Sequence, residues 1–215
     1  MQRPAEMVEY YARRAREYER IYERPERQTD LGTMCAAIEA DFVGRRVLDI
    51  ACGTGYFSAY AARRAELLTG FDANEETLEI ARAKGIGNAQ FKVGDAYALP
   101  MPPARYDGAL TTFWWSHIPK HRIDEFLRGV QRQIEPGSRV FIADNTYVEG
   151  NSTPISRVDE SGNSYQSRTL ENGARYEVLK NFPTHAELAA WGARFGTEVE
   201  VRFLTYFWML RYRSQ

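Results

Sequence analysis

The sequence predicts an α/β protein whose mostly parallel sheet is doubly wound, with helices on both faces. Three observations carry this. Short apolar runs alternate with helical segments from Arg46 to Ala143, and such alternation implies right-handed crossovers between parallel strands. The first run, Val47 to Ile50, passes into a turn containing Gly53 and Gly55, after which a helix begins. An aspartate follows the second and third runs, at Asp72 and Asp95.

The elements follow in order. Residues 5–24 are expected to form one helix, because Tyr11, Ala15, Tyr18 and Tyr22 recur at spacings of 4, 3 and 4 and share a face. Pro25 ends it, since proline disfavours helix in the residue before it. Leu31 to Asp41 is a second helix. Strand Arg46–Ile50 leads into helix Tyr56–Arg64, and strand Glu66–Phe71 into helix Glu75–Lys84, with Asn74 as its expected cap. Gln90–Val93, Tyr106–Phe113 and Arg139–Ala143 are the next strands, with a helix over Pro119–Ile134. Asn145 to Gly173 is polar and reads as a long loop; loops of that length tend to be lids or binding loops. Thr184 and Glu187 have capping-box spacing and open a helix to Phe195. Glu198–Phe203 and Thr205–Tyr212 suggest a terminal antiparallel pair.

Composition excludes several classes. The 215 residues carry 28 basic and 29 acidic side chains, a balance with no global field to draw in nucleic acid or an anionic membrane. No apolar run approaches the ~18 residues needed to span a bilayer. Met1 to Gln28 is rich in Arg and Glu, unlike a signal or transit peptide. Two cysteines make neither a disulfide framework nor a Cys-rich zinc site. A cytoplasmic protein with free thiols, monomer or homodimer, is the expectation.

The glycine loop is the strongest motif. Glycine tolerates positive φ and lets a ligand approach the backbone, and the carboxyl end of the first strand is where open α/β sheets bind ligands. A dinucleotide fingerprint requires a third glycine, and Ser58 stands there. Asp49 would repel a pyrophosphate but suits a ligand with a positive amino group. Asp72, 17 residues beyond Gly55, is placed to accept two ribose hydroxyls, and Asp95 an adenine amino group. Any one of these acids can be a turn or capping residue; three at the ends of consecutive strands are hard to assign that way.

Val47–Gly55, Gly70–Arg82, Phe91–Pro100 and Tyr106–Ile118 resemble the four motifs of class I S-adenosylmethionine (SAM) methyltransferases, nearest to the small bacterial ubiquinone/menaquinone-biosynthesis-like type. The resemblance covers about residues 40–145. It implies a Rossmann-like seven-stranded sheet with a reversed last strand, and S-adenosylhomocysteine (SAH) as product. It implies that Ala51, Gly53 and Gly55 hold the methionine part, Asp72 and Ala73 the ribose, Asp95 and Ala96 the adenine, and that Phe113 touches the cofactor, with Tyr11 and Arg27 closing over the methionyl end. The pair Trp114-Trp115 is not typical of the family.

Candidate acceptor residues are Trp114, Trp115, Tyr18, Tyr165 and Arg168. Two neighbouring Trp point in opposite directions on a strand end, so one at most is expected to face the site. His117 is a candidate general base, or a satisfied polar residue at a strand–helix junction. No metal is expected, because Pro119 separates His117 from His121 and no further ligand stands at a convincing spacing. One domain is expected over 1–215, with a helical cap at 1–40 and a substrate lid at 145–180. The reading is methyl transfer to a small-molecule acceptor. Its rivals are a SAM-binding sensor or partner subunit, and a Rossmann oxidoreductase. Asp72→Ala is expected to weaken cofactor binding with little loss of stability.

Overall fold

The computed structural model describes residues 4–102, 104–170 and 173–215; the side chains of 4–8, Arg16 and Tyr18 are outside that description. Helix α1 (Pro4–Arg14) leads into a 3-10 helix (Ala15–Tyr22), a second 3-10 turn (Pro25–Arg27) and α2 (Gln28–Asp41). Strand β1 (Arg46–Ile50), α3 (Tyr56–Ala62), β2 (Leu67–Asp72), α4 (Glu75–Ala83), β3 (Ala89–Val93) and β4 (Tyr106–Thr112) follow. Then come α5 (Ile123–Gln133), β5 (Ile134–Asn145), β6 (Ile155–Val158), β7 (Ser164–Thr169), β8 (Arg175–Leu179), α6 (His185–Phe195), β9 (Gly196–Phe203) and β10 (Phe207–Ser214). The main sheet has seven strands in the order β3-β2-β1-β4-β5-β10-β9. Its first five are parallel, while β10 runs antiparallel to both neighbours. This is the Rossmann-like sheet with a reversed last strand.

Strand alternation divides the core in two. Val47, Leu110 and Phe141 face α2 and α3, with Met34 and Ile38 of α2 fully buried among them. Leu48, Ile50, Val140 and Ile142 face α5 and α6, with Phe126 and Leu127 at the centre of that layer. The Thr184–Glu187 capping box forms at the start of α6, each side chain bonding the other's backbone N–H.

Four elements differ from the sequence reading. The N-terminal helix is α-helical only to Arg14 and then winds as 3-10. Tertiary contacts select the tighter winding: Glu19 accepts from Thr54 Oγ1 and Lys84 Nζ, both at 2.6 Å, and Tyr22 stacks on Tyr56 at 4.2 Å. Asn74 makes no side-chain cap; the Asp72 carboxylate takes the Asn74 N–H instead, at 2.9 Å. The helix expected from Pro119 opens with a 3-10 turn (Lys120–Arg122) before α5. The largest difference is in 145–180, read as a loop: it holds a second, three-stranded antiparallel sheet, β6-β7-β8. Its strands lack a clean apolar alternation: β6 is exposed throughout, and in β7 and β8 the buried residues are consecutive, Ser164 to Gln166 and Val178 to Leu179.

The small sheet and α1 cover the carboxyl edge of the main sheet together. Tyr10 packs with Leu170 and Val178. A buried network anchors β8: Lys180 Nζ reaches Asp144 Oδ1 at 3.0 Å and Ser116 Oγ at 2.6 Å, while Ser116 N–H donates to Asp144 Oδ2 at 2.8 Å. No helix of the described residues is long and apolar enough to cross a membrane.

The two neighbouring tryptophans separate after β4. Trp115 is 2% exposed and meets Trp208 edge-to-face at 5.9 Å, so its expected contact with an acceptor is corrected to a core role. Trp115→Ala should cost about 3–5 kcal/mol, seen as a large fall in Tm, whereas Trp114→Ala should leave Tm near that of the parent. Thermal unfolding of the two variants checks this.

Candidate active site

The strand order reverses direction at β1, whose neighbours β2 and β4 are reached by crossovers on opposite faces. A crevice is left at the carboxyl ends of the strands there. A cavity of about 870 Å³ fills it. Its floor comes from the turns after four strands: Ala51 and Gly53, Asp72 to Asn74, Gly94 to Tyr97, and Thr112 to Trp114. Tyr11, His117, Arg157, Tyr165 and Leu179 form the opposite wall.

The turns are built for close approach. Gly53 has φ +55°, and a Cβ there would point into open space. Gly55, φ +73°, serves a different need: a Cβ would lie 3.0 Å from the Ala81 Cβ. It is the αL residue before α3 and packs the loop on α4; it does not line the cavity. Ala51 and Phe113 also have positive φ, 57° and 59°, which non-glycine residues rarely adopt. Both line the cavity, so backbone strain is concentrated at this edge.

Asp72 is held by its own surroundings. Oδ2 accepts from Gly53 N–H at 2.9 Å, and Oδ1 from Asn74 N–H and Thr77 Oγ1. Burial raises its pKa, and the backbone N–H groups of Asn74 and Gly53 oppose the rise. A carboxylate has about four lone-pair sites, so acceptor capacity remains toward the cavity. Asp72→Ala would strand the Gly53 and Asn74 N–H donors, while Thr77 Oγ1 keeps the Asn74 carbonyl at 2.9 Å, so some loss of stability is expected beside the loss of binding. Asp95 Oδ1 accepts from Tyr97 N–H at 2.9 Å.

Asp49 does not line the cavity. It is 1% exposed, and alternation along β1 turns it toward α3, where Ser58 Oγ donates to its Oδ2 at 2.6 Å. Its Oδ1 has no partner, and burial pushes its pKa up to about 7. Contact between Asp49 and a ligand's amino group is therefore corrected to a bond with the residue that replaces the third glycine.

His117 is buried and fixed at both nitrogens. Nδ1 meets the Leu179 carbonyl at 2.7 Å, and a carbonyl only accepts, so Nδ1 carries the proton. Nε2 is then the acceptor for the Tyr11 hydroxyl at 2.7 Å. Burial, then the charge of Lys180, push its pKa down to about 3. Such a weak, engaged base is not a general base; the ring positions Tyr11.

The other expected residues divide. Tyr11, Ala73, Ala96, Phe113, Trp114 and Tyr165 line the cavity. Trp114 Nε1 is buried with no partner, and the Tyr165 hydroxyl donates to Asp159 Oδ2 at 3.0 Å. Arg27 and Arg168 are absent from this cavity and line a smaller recess beside it. Arg27 donates to Asn151 Oδ1 at 2.7 Å and lies over the Tyr206 ring. Its expected contact with the methionyl end stays a proposal: Arg27 lines the recess, whose lining shares Tyr11, Phe113 and His117 with the cavity. Tyr18 lies outside the described side chains. Tyr97, beside Asp95 and read from the sequence as a neighbour of the adenine ring, lines the cavity with Arg122 over its ring at 3.5 Å. Lys180 was not anticipated, and nothing local marks it. Among the described residues no cluster of metal-binding side chains occurs.

Residues 47–137 match the family model described as a methyltransferase domain. The fatty-acid O-methyltransferase of Mycolicibacterium smegmatis is 36% identical over 111 residues, 50% of this chain and 40% of that protein. The ubiquinone biosynthesis O-methyltransferase of Xanthomonas oryzae pv. oryzae is 28% identical over 70% of this chain and 62% of its own. The chain thus spans less than two-thirds of either relative. The solved DhpI-SAM-HEP complex superposes with a TM-score of 0.81 at 25% identity, over 99% of this chain and 100% of that one. The chain is thus similar to methyltransferase domains over residues 47–137 and shares, over nearly its whole length, the fold of a protein solved with SAM.

Two buried groups give opposite pH slopes. His117 ionises near 6.5 when unfolded and near 3 when folded, so the stability it contributes is lost as pH falls from about 6.5 toward 3. Asp49 has its folded pKa raised to about 7, so its contribution is present below about 4 and lost as pH rises toward 7. Relative to the parent, His117→Asn should recover stability as pH falls from 6.5 to 5. Asp49→Asn should recover it as pH rises over the same interval. Each slope is at most about 1.4 kcal/mol per pH unit. Urea unfolding at several pH values reads both.

Proposed function

We propose that this protein transfers the methyl group of SAM to a small-molecule acceptor, releasing SAH. The observation that carries the reading is the cavity: strand-end acids and an open glycine turn floor one side, and aromatic side chains from separate covering elements wall the other. Its volume falls in the range of ligand pockets. The residues suit the cofactor. The space over Gly53 is where a methionyl chain can lie against backbone, and Asp72 keeps acceptor capacity for a ribose diol. Asp95 is the acceptor for an amino group on a ring flanked by Ala73, Ala96 and Tyr97. When bound, SAM supplies an electrophilic methyl on a sulfonium.

The chain's own residues do the rest. The rings of Tyr11 and Phe113 line the cavity and suit attraction to a cation. The Tyr11–His117 bond fixes one ring, and Trp114 and Tyr165 offer surface to the acceptor. In the step, an acceptor lone pair forms the bond to the methyl carbon as the carbon–sulfur bond breaks and its electron pair goes to sulfur. Holding the two reactants in line can contribute roughly 7–11 kcal/mol. Residues 145–180 and the N-terminal segment act as the cover that excludes water. A single domain, as monomer or homodimer in the cytoplasm, completes the reading. The balance of 28 basic and 29 acidic residues argues against nucleic acid as acceptor.

Calorimetry should show that SAM and SAH bind and that NAD does not. Asp72→Asn, which keeps one acceptor oxygen, should weaken SAM binding by roughly 10- to 100-fold, the value of hydrogen bonds to a charged group. NAD binding without SAM binding overturns the reading.

A further inference from the structure

Beside the main cavity, across the wall of Tyr11, Phe113 and His117, lies a recess of about 100 Å³. Its lining includes Arg14, Arg24, Arg27, Arg168 and Lys180 and, among the described residues, no carboxylate. These cations arrive from three parts of the chain: the end of α1, the 3-10 turn before α2, and strands β7 and β8 with the residue after them.

For Arg24, Arg27 and Arg168 the described partners compensate the charge only in part. Lys180 is paired with the buried Asp144. Arg168 is held by the Gln166 side-chain oxygen at 2.5 Å and Arg27 by that of Asn151 at 2.7 Å. Amide oxygens orient a guanidinium without neutralising it. Arg27 Nε is buried with no partner at all. Arg24 pairs with Glu26 at 4.0 Å on the exposed rim. The cations also act on one another. Burial lowers the pKa of Arg27; the charge of Arg24 and, more weakly, that of Arg168 add to the effect, and the Glu26 carboxylate opposes it. Burial lowers that of Lys180 too; Asp144 opposes this, and Arg168 and Arg14 reinforce it. Like charges gathered in a half-buried recess repel at reduced screening. An anion there removes that repulsion and supplies the missing acceptors.

Size narrows the ligand. Since a water occupies about 30 Å³, the recess holds one compact head group and not a whole acceptor. Because Tyr11, Phe113 and His117 belong to both linings, the rest of such a molecule would extend past these side chains into the main cavity. Arginine forks match the paired oxygens of carboxylate and phosphoryl groups. We propose that this recess binds the oxyanion of the methyl acceptor, a carboxylate or phosphoryl acid group, and so restricts the enzyme to anionic small molecules. The acceptor assignment rests on the methyltransferase reading; the anion site itself does not.

The test has two arms. In the first, acetate and inorganic phosphate are titrated into the protein against chloride at equal ionic strength, with SAM affinity measured in parallel. Saturable binding of either anion is expected. Arg168→Gln should weaken it about tenfold or more, Arg168→Lys by less, and SAM affinity should stay within about twofold in both. Arg24→Gln, on the exposed rim, gives a second reading if Arg168→Gln fails to fold. In the second arm, SAH release is followed with butyl carboxylate, butyl phosphate and butylphosphonate beside butanol and butylamine. Turnover confined to acids is expected, and the better acid identifies the head group. No saturable binding above chloride, or equal binding in parent and variants, overturns the anion site. Equal turnover of the neutral compounds overturns the acceptor assignment. Absence of SAM binding in the parent overturns the methyltransferase reading, and the first arm still decides the anion site.

Discussion

The reversal of strand order at β1 is the constraint on which the molecule depends. Crossovers leave β1 toward opposite faces, so no connection can run over the carboxyl ends of β1 and β4, and a crevice opens between them. The hydrogen-bonded register of β1 with β2 and β4 then brings the turns after several strands to one level. Asp72, Gly53 and Phe113 meet there although 60 residues separate Gly53 from Phe113.

Closing the crevice is the work of buried polar contacts rather than a large apolar interface. The small sheet has few buried apolar residues of its own. Lys180, Asp144 and Ser116 tie it to the ends of β4 and β5, and the His117–Leu179 bond adds a second attachment. A buried ion pair of this kind gives little net stability, but breaking it leaves an uncompensated charge, so it defines one seating of the cover. The same attachment brings Lys180 to the edge of the basic recess.

Strain and desolvation are gathered on the same edge. Ala51 and Phe113 hold positive φ at the ends of β1 and β4. Asp49, behind the cavity, and His117, in its wall, have pKa values displaced toward their neutral forms by burial. Neutral Asp49 can support the glycine loop through Ser58 without placing a second negative charge beside Asp72. Neutral His117 can accept from Tyr11 without adding another cation to those already gathered beyond it.

The sequence by itself determined the main sheet, because its signals are local. Alternating runs, Gly53 and Gly55, the Thr184–Glu187 box and aspartates after successive strands each act within a few residues of where they stand. The number of strands and the reversed last one came from resemblance, since neither is written in spacing. Only the tertiary structure decided which way a side chain turned and what lay across from it. Asp49 and Trp115 read as site residues and are turned into the core, one by strand alternation and one by the turn after β4. The stretch 145–180 read as loop because strands that pair mainly with one another over a crevice need no apolar face. The basic recess was illegible because its cations lie as far apart as Arg14 and Lys180, and their charges meet only when the small sheet folds back on the first helix.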